Sequence, residues 1–156
     1  ANRAWDNIQE LRHERIVALC DVDAGYLARA SSEFPDARTF RDFRELLAME
    51  RELDLDGVVV STPDHTHALA TALALQAGLP VYCEKPLTRT VRELGVLRSL
   101  WERHPVATQM GTQIHAGDNY RRVVEAIRAG AIGRVTADAG CRAAGRARLG
   151  AVARPD

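Results

Sequence analysis

The sequence has no starting methionine, no long apolar run, no excess of either charge and no cysteine spacing that suggests a metal or a disulfide framework. Each absence excludes something. No stretch approaches the roughly 18 apolar residues that span a bilayer. Ala1-Asn2-Arg3-Ala4-Trp5 lacks both the basic and the apolar region of a signal peptide. With no Met at its head, the chain is expected to have further sequence upstream. Lys+Arg and Asp+Glu both number 21, so the formal net charge is zero. A neutral, mixed-charge chain gives no electrostatic reason to expect nucleic acid or an anionic membrane as partner. Cys20, Cys83 and Cys141 are odd in number and show no C-x-x-C spacing, which argues against disulfides and against a structural zinc. Cys20 and Cys83 lie in apolar runs and read as small buried hydrophobes. The lack of disulfide logic suits the cytoplasm, with periplasmic export left open. Nothing repeats at a fixed period, which argues against a solenoid.

What is present suits one ordinary domain: 156 residues, 46% of them hydrophobic. Ala1, Ala4, Trp5, Ile8 and Leu11 form a helical stripe. Ile16–Cys20 reads as a short buried strand. Residues 23–34 read as a helix ended by Pro35, and Arg38-Thr39 as a brief extended piece. Asp42 is placed to cap a helix carrying Phe43, Leu46 and Leu47. Gly57–Ser61 is apolar without alternation, as in a parallel strand buried on both faces. A helix follows from about His65 to Ala77, with Gly78 where a C′ glycine belongs. Val81–Glu84 is the next strand. Val91, Leu94, Leu97, Leu100 and Trp101 mark a further helix, and Val106–Met110 a further strand. Asn119 is placed to cap a helix with Val123, Val124 and Ile127 on one face, closed by Gly130. Alternating strands and helices with short connections predict a parallel α/β sheet with right-handed crossovers. From Ala137 to Asp156 nearly every residue is Ala, Gly or Arg. That irregular segment is either a flexible tail or the product of a shifted reading frame in GC-rich DNA.

Three places suggest chemistry. Asp21 ends a strand after the first helix, where dinucleotide folds place an acidic residue on the adenosine ribose. It would repel a 2′-phosphate and favour NAD over NADP. The alternative is an exposed turn or a helix cap within Asp21-Val22-Asp23. Ser61-Thr62-Pro63-Asp64-His65-Thr66-His67 joins a strand to a helix start, at the sheet edge where such folds bind ligands. The alternative is a capped turn. His65 and His67 are two apart, so on a helix they would not share a metal. Glu84-Lys85-Pro86 closes another strand at the same edge. A lysine there can hydrogen-bond a substrate hydroxyl and favour its alkoxide as hydride leaves, and partial burial would lower its pKa and suit it to proton transfer. The alternative is an ordinary exposed lysine in a turn.

Several runs, taken in order, resemble the glucose–fructose oxidoreductase / inositol dehydrogenase (Gfo/Idh/MocA) family. They are Asp54–His67, Gly78–Leu87, Met110-Gly111-Thr112-Gln113, Asn119-Tyr120-Arg121-Arg122 and Gly130-Ala131-Ile132-Gly133. The resemblance covers roughly residues 1 to 136, and the ordered set is more specific than any one motif. It implies an N-terminal NAD(P)-binding Rossmann domain followed by an α+β substrate domain, often the oligomer interface. Asp21 is similar to the family's ribose-binding residue. Ser61, Thr62, Pro63 and Asp64, with His67 beyond them, match the loop passing the cofactor; many members have Asn at the Asp64 position. Glu84 and Lys85 match the pair near the nicotinamide, and Lys85 the catalytic lysine. Gln113 falls on a loop near nicotinamide and substrate, and His115 and Asn119 are candidate substrate contacts.

The resemblance also has gaps. Relatives begin with a strand and a glycine-rich turn that hold the pyrophosphate, and this chain starts at the helix after them. Relatives also continue past Gly133-Arg134-Val135 into the substrate domain, whereas here the pattern dissolves after about Thr136. The expected fold is therefore α/β, an incomplete Rossmann-type parallel sheet with helices on both faces. It would lack the first strand, leaving the strands ending at Cys20 and Ser61 without a shared neighbour. The expected organisation is a partial dinucleotide-binding domain over 1–136, with the second domain beginning near 119–136. The expected function of the parent protein is NAD-dependent hydride transfer at a sugar, cyclitol or polyol hydroxyl, in a homo-oligomer. The chain alone is expected to be inactive. Alternatives are a non-catalytic remnant or interaction module, an NAD-dependent glycosidase of the same family, and, against the Glu-Lys-Pro motif, another Rossmann user such as a methyltransferase.

Overall fold

The computed structural model describes residues 2–134. The Ala/Gly/Arg-rich segment from 137 onwards lies outside the described residues. Five parallel strands alternate with helices, as the periodicities require: α1 (Asn2–Glu10), β1 (Ala18–Cys20), α2 (Ala24–Glu33), β2 (Arg38–Phe40), α3 (Phe43–Ala48), α4 (Glu50–Leu53), β3 (Val58–Val60), a 3-10 turn (Asp64–Thr66), α5 (His67–Gln76), β4 (Val81–Glu84), α6 (Val91–Arg103) and β5 (Thr108–Gly111). These lie in one compact unit that ends at Thr112.

Among the described residues the strands form two sheets. β1 pairs with β2 (Leu19 opposite Thr39), and the order β3-β4-β5 makes the other (Val59 opposite Tyr82, Tyr82 opposite Gln109). All pairings are parallel, so every strand ends at the same edge of its sheet. β1 and β3 do not hydrogen-bond to each other. The strands ending at Cys20 and Ser61 thus have no common strand neighbour among the described residues, as the sequence suggested.

The helix ends follow local chemistry. Asp23 caps α2, accepting from the Gly25 and Tyr26 N–H groups at 2.8 and 3.0 Å. Asp42 caps α3 through the Arg44 N–H at 2.9 Å, as expected, and the Arg44 guanidinium beside it holds its carboxyl down at about 2. Thr90 and Glu93 form a reciprocal capping box on α6. Gly78 follows α5 with φ +73, a backbone conformation that costs a side-chain-bearing residue energy.

The core sits between α5, α6 and the β3–β4 face. On α5 the buried positions are His67, Ala70, Thr71, Ala74 and Leu75, a stripe at i, i+3, i+4, i+7 and i+8. Val60, Leu79, Val81, Cys83, Leu97 and Leu100 close over it. Two expectations need correction. β3 is not buried on both faces: Val60 is buried, but Val59, on the other side of the pleat, is 43% exposed. Its outer face lacks the cover that the continuous apolar run suggested. The helix His65–Ala77 is shortened, because the 3-10 turn at Asp64–Thr66 takes its first two residues.

The second unit begins at Gln113. It contains α7 (Gln113–Ala116) and the amphipathic α8 (Asp118–Arg128), after which Gly130 takes φ +84. Asn119 does not cap α8. Gly117 takes the extended capping conformation, and Asn119 falls inside the first turn.

Cys83 bears out the buried-hydrophobe reading, whereas Cys20 is only half-buried. Cys83 is 1% exposed, and burial pushes its thiol up. Burial first, then Asp42, Asp21 and Glu45, push Cys20 from 9.0 to about 11, which lowers its thiolate fraction at mildly alkaline pH about a hundredfold. Iodoacetamide treatment of the folded chain, followed by peptide mapping, should therefore leave Cys20 and Cys83 almost unmodified until denaturant is added. Prompt labelling of Cys83 would contradict the packing described here. Cys141 lies outside the described residues.

Candidate functional site

Parallel pairing puts the carboxyl ends of β1 and β2 at one edge of their sheet and those of β3, β4 and β5 at one edge of theirs, and the expected cofactor residues of the first unit follow strand ends. Asp21 follows β1, and its N–H donates to the Phe40 carbonyl at 3.2 Å, which fixes it just beyond the β1–β2 ladder. One of its carboxylate oxygens accepts from the Asp23 N–H at 2.9 Å. The turn and the helix cap share the work: Asp23 caps α2, and Asp21 orders the turn while keeping an oxygen for a ligand.

Ser61 follows β3, and Glu84 ends β4. Asn7 joins them. Its amide nitrogen donates to the Ser61 hydroxyl and to a Glu84 carboxyl oxygen, each at 2.8 Å. Glu84 is only 5% exposed, so a donor of this kind offsets the cost of burying its oxygens. The Tyr82 hydroxyl approaches the same oxygen at 3.5 Å. Lys85 is the next residue and is exposed. The Lys85–Pro86 peptide is cis.

Asn7 was not among the residues singled out from the sequence. It lies one position before the apolar Ile8 of the α1 stripe, and only the tertiary fold shows that it faces two strand ends. Its one local sign is an amide beside a buried-looking stripe, which many helices carry.

In the Ser61–His67 segment, the Thr66 N–H and hydroxyl both donate to the Pro63 carbonyl at 2.9 Å. Those donors are spent inside the turn. The Thr62 hydroxyl is buried with no hydrogen-bond partner among the described residues. An orphaned hydroxyl at a ligand-binding edge fits a loop that completes its hydrogen bonding with a bound polar molecule. Asp64 is exposed at the start of the 3-10 turn. His67 is buried, with Nδ1 and Nε2 each 2.7 Å from a main-chain carbonyl, those of Pro86 and Thr62.

The remaining candidates belong to the second unit. Gln113 opens α7, His115 stacks on Tyr120 with ring centroids 4.6 Å apart, and Asn119 is exposed in the first turn of α8. The pyrophosphate cradle expected from the resemblance is not among the described residues.

An acidic residue after β1, a serine–threonine turn after β3 and a Glu-Lys pair at the end of β4, each at the carboxyl end of a parallel strand, form the pattern of a nucleotide-binding α/β domain. Residues 1–112 match the oxidoreductase family with an NAD-binding Rossmann fold, and the chain belongs to that family, the Gfo/Idh/MocA oxidoreductases. It is 32% identical over 130 residues to D-apiose dehydrogenase of Paraburkholderia graminis, covering 83% of this chain and 33% of the relative. It is 34% identical over 122 residues to inositol 2-dehydrogenase of Leifsonia xyli subsp. xyli, covering 76% of this chain and 34% of the relative. In structure it resembles myo-inositol 2-dehydrogenase of Lactobacillus plantarum, with a TM-score of 0.68, 28% identity and coverage of 76% of this chain and 34% of that one. The chain thus spans about a third of the length of the relatives it matches. Among the described residues, no helix is long and apolar enough to cross a membrane.

Proposed function

We propose that this chain is the cofactor-binding part of an NAD-dependent oxidoreductase that moves a hydride between a nicotinamide and a carbinol carbon of a sugar, cyclitol or polyol. The supporting observation is the meeting of Ser61, Glu84 and Lys85 at adjacent strand ends, with Asn7 bonding the first two. The carbohydrate-like substrate class rests on the apiose and inositol dehydrogenases to which the chain is similar.

The bound nicotinamide supplies the hydride acceptor. The chain's own residues do the rest. Asp21 accepts from ribose hydroxyls, which is what a carboxylate with a spare oxygen at the end of β1 can do. The Thr62 hydroxyl, buried and unpartnered among the described residues, gains a partner in the bound molecule. Asn7 fixes Ser61 and Glu84 relative to each other, so the floor of the site is set before anything binds. Lys85 takes the hydroxyl proton at Nζ as the C–H pair of the alcohol leaves as hydride.

A second reading, a remnant that binds nothing, is favoured by one observation: β1 and β3 share no strand neighbour among the described residues. Calorimetric titration of NADH into the folded chain separates the two. Micromolar binding is expected, with NADPH at least roughly tenfold weaker because a carboxylate holding the ribose would repel a 2′-phosphate. Asp21→Ser should erase that preference. No binding of either nucleotide sinks the cofactor-binding reading for this chain. Equal binding of both would remove Asp21 from the site.

A further inference from the structure

His67 is 1% exposed, and its two ring nitrogens each lie 2.7 Å from a main-chain carbonyl oxygen, Nδ1 from Pro86 and Nε2 from Thr62. A carbonyl oxygen only accepts. A neutral imidazole has one N–H and one bare lone pair. Seated here, it would press that lone pair against a carbonyl inside the fold, where an unsatisfied polar contact costs most. The imidazolium, with an N–H at both positions, satisfies both carbonyls at once. Contacts of 2.7 Å are also of the length that charge-assisted hydrogen bonds adopt.

The geometry points to His67 as a doubly protonated strut that ties the Thr62 turn to Pro86, and so positions Lys85, the residue before Pro86. Thr62 belongs to the turn after β3, and Pro86 directly follows Lys85 after β4. One ring therefore spans the two strand ends from below, at the start of α5. Asn7 ties Ser61 to Glu84, and His67 ties Thr62, one residue on, to Pro86, two residues on, along the same two connections. With both nitrogens occupied, His67 is a positioning residue and not a cofactor contact. The titratable groups on the elements it joins are Asp64 and His65 on the 3-10 turn, Tyr82, Cys83 and Glu84 on β4, and Lys85 just after it. The protonation and the tie stand on geometry alone; the value of the tie to catalysis rests on the reading of Lys85 above.

Two measurements on the full 156-residue chain test this. Long-range proton–nitrogen spectra of the labelled chain at neutral pH report the state of each imidazole nitrogen, with the His67 signals identified by their loss in His67→Gln. Both ring nitrogens of His67 should carry a proton. One bare nitrogen, a neutral tautomer, overturns the strut. The second measurement uses the fact that Lys85 is the only lysine in the sequence. Reductive dimethylation with carbon-13 therefore labels a single side chain, apart from the N-terminus. His67→Gln should shift or split that signal, whereas His104→Gln, at an exposed position, should leave it unmoved. An unmoved Lys85 signal in a folded His67→Gln chain overturns the positioning role. If His67→Gln does not fold, the ring nitrogens of the unmodified chain, assigned through their backbone connections, decide alone. The outcomes stay separable from the functional reading. A chain that binds no NADH yet shows a doubly protonated His67 loses the cofactor reading and keeps the strut. A neutral His67 in a chain that binds NADH does the reverse.

Discussion

Lys85→Ala is expected to slow hydride transfer about 100- to 10,000-fold, the range a positioned proton-transfer group contributes, while NADH affinity changes little. The test is stopped-flow oxidation of a polyol by a polypeptide in which a substrate domain follows this one. The expectation comes from the division of labour at the sheet edge. In the proposed function Asp21 and Thr62 hold the cofactor, while Asn7 ties Ser61 to Glu84. Lys85 is the exposed amine just after β4, next to Glu84. Removing its amine takes away a proton acceptor without opening the core. The loss should therefore fall on kcat more than on the cofactor's Kd. An unchanged rate would remove Lys85 from the chemistry. A lost NADH affinity with an unchanged rate at saturation would make it a binding residue instead.

Some of this organisation was legible in the sequence because it is written locally. β4 was read to the residue, because Val81–Glu84 is bounded by Pro80 and Pro86. The Asp42 cap and the Gly78 stop follow from side-chain and backbone chemistry that acts over three or four residues. The Thr90–Glu93 capping box carries the same kind of signature and was available to be read. Burial of β3 was overread. An unbroken apolar run shows what a strand can bury, while the neighbours that cover each face come from elsewhere in the chain, and Val59 lacks that cover. The onset of α8 was missed by two residues because a glycine in extended conformation does not announce itself as a cap.

The site divides in the same way. Asp21, Ser61, Glu84 and Lys85 are strand-end residues, and strand ends can be found from periodicity and breakers. That parallel strands collect their ends at one edge then follows from topology. The ties between them were not legible. Asn7 is 54 residues from Ser61 and 77 from Glu84, and nothing local distinguishes it from a solvent-facing helix amide. His67 could be seen as part of a loop motif, but the use of both its nitrogens depends on a carbonyl 19 residues away.

The largest effect on stability is expected at Leu75. It is 2% exposed, among the largest fully enclosed side chains, and lies where α5 meets β4 and α6 with Val60, Leu79, Leu97 and Leu100 around it. Leu75→Ala removes the methyl groups that fill that space and leaves a cavity that its neighbours close only partly, at a cost of about 2–5 kcal/mol. Domains of this size are stable by roughly 5–15 kcal/mol in all, so the transition should move down by roughly 10–20 °C. Leu69, on the same helix, provides the control. It is 53% exposed, and Leu69→Ala should change stability by no more than about 0.5 kcal/mol. Helix propensity favours alanine over leucine at both positions, so the difference between the variants isolates packing. Thermal unfolding followed by circular dichroism reads both. Equal midpoints would mean that α5 does not pack on β4 through Leu75. Because His67 and Leu75 share the buried stripe of α5, a helix loosened at Leu75 would also carry the strut away from Thr62 and Pro86, and the Lys85 signal should move before the global transition begins.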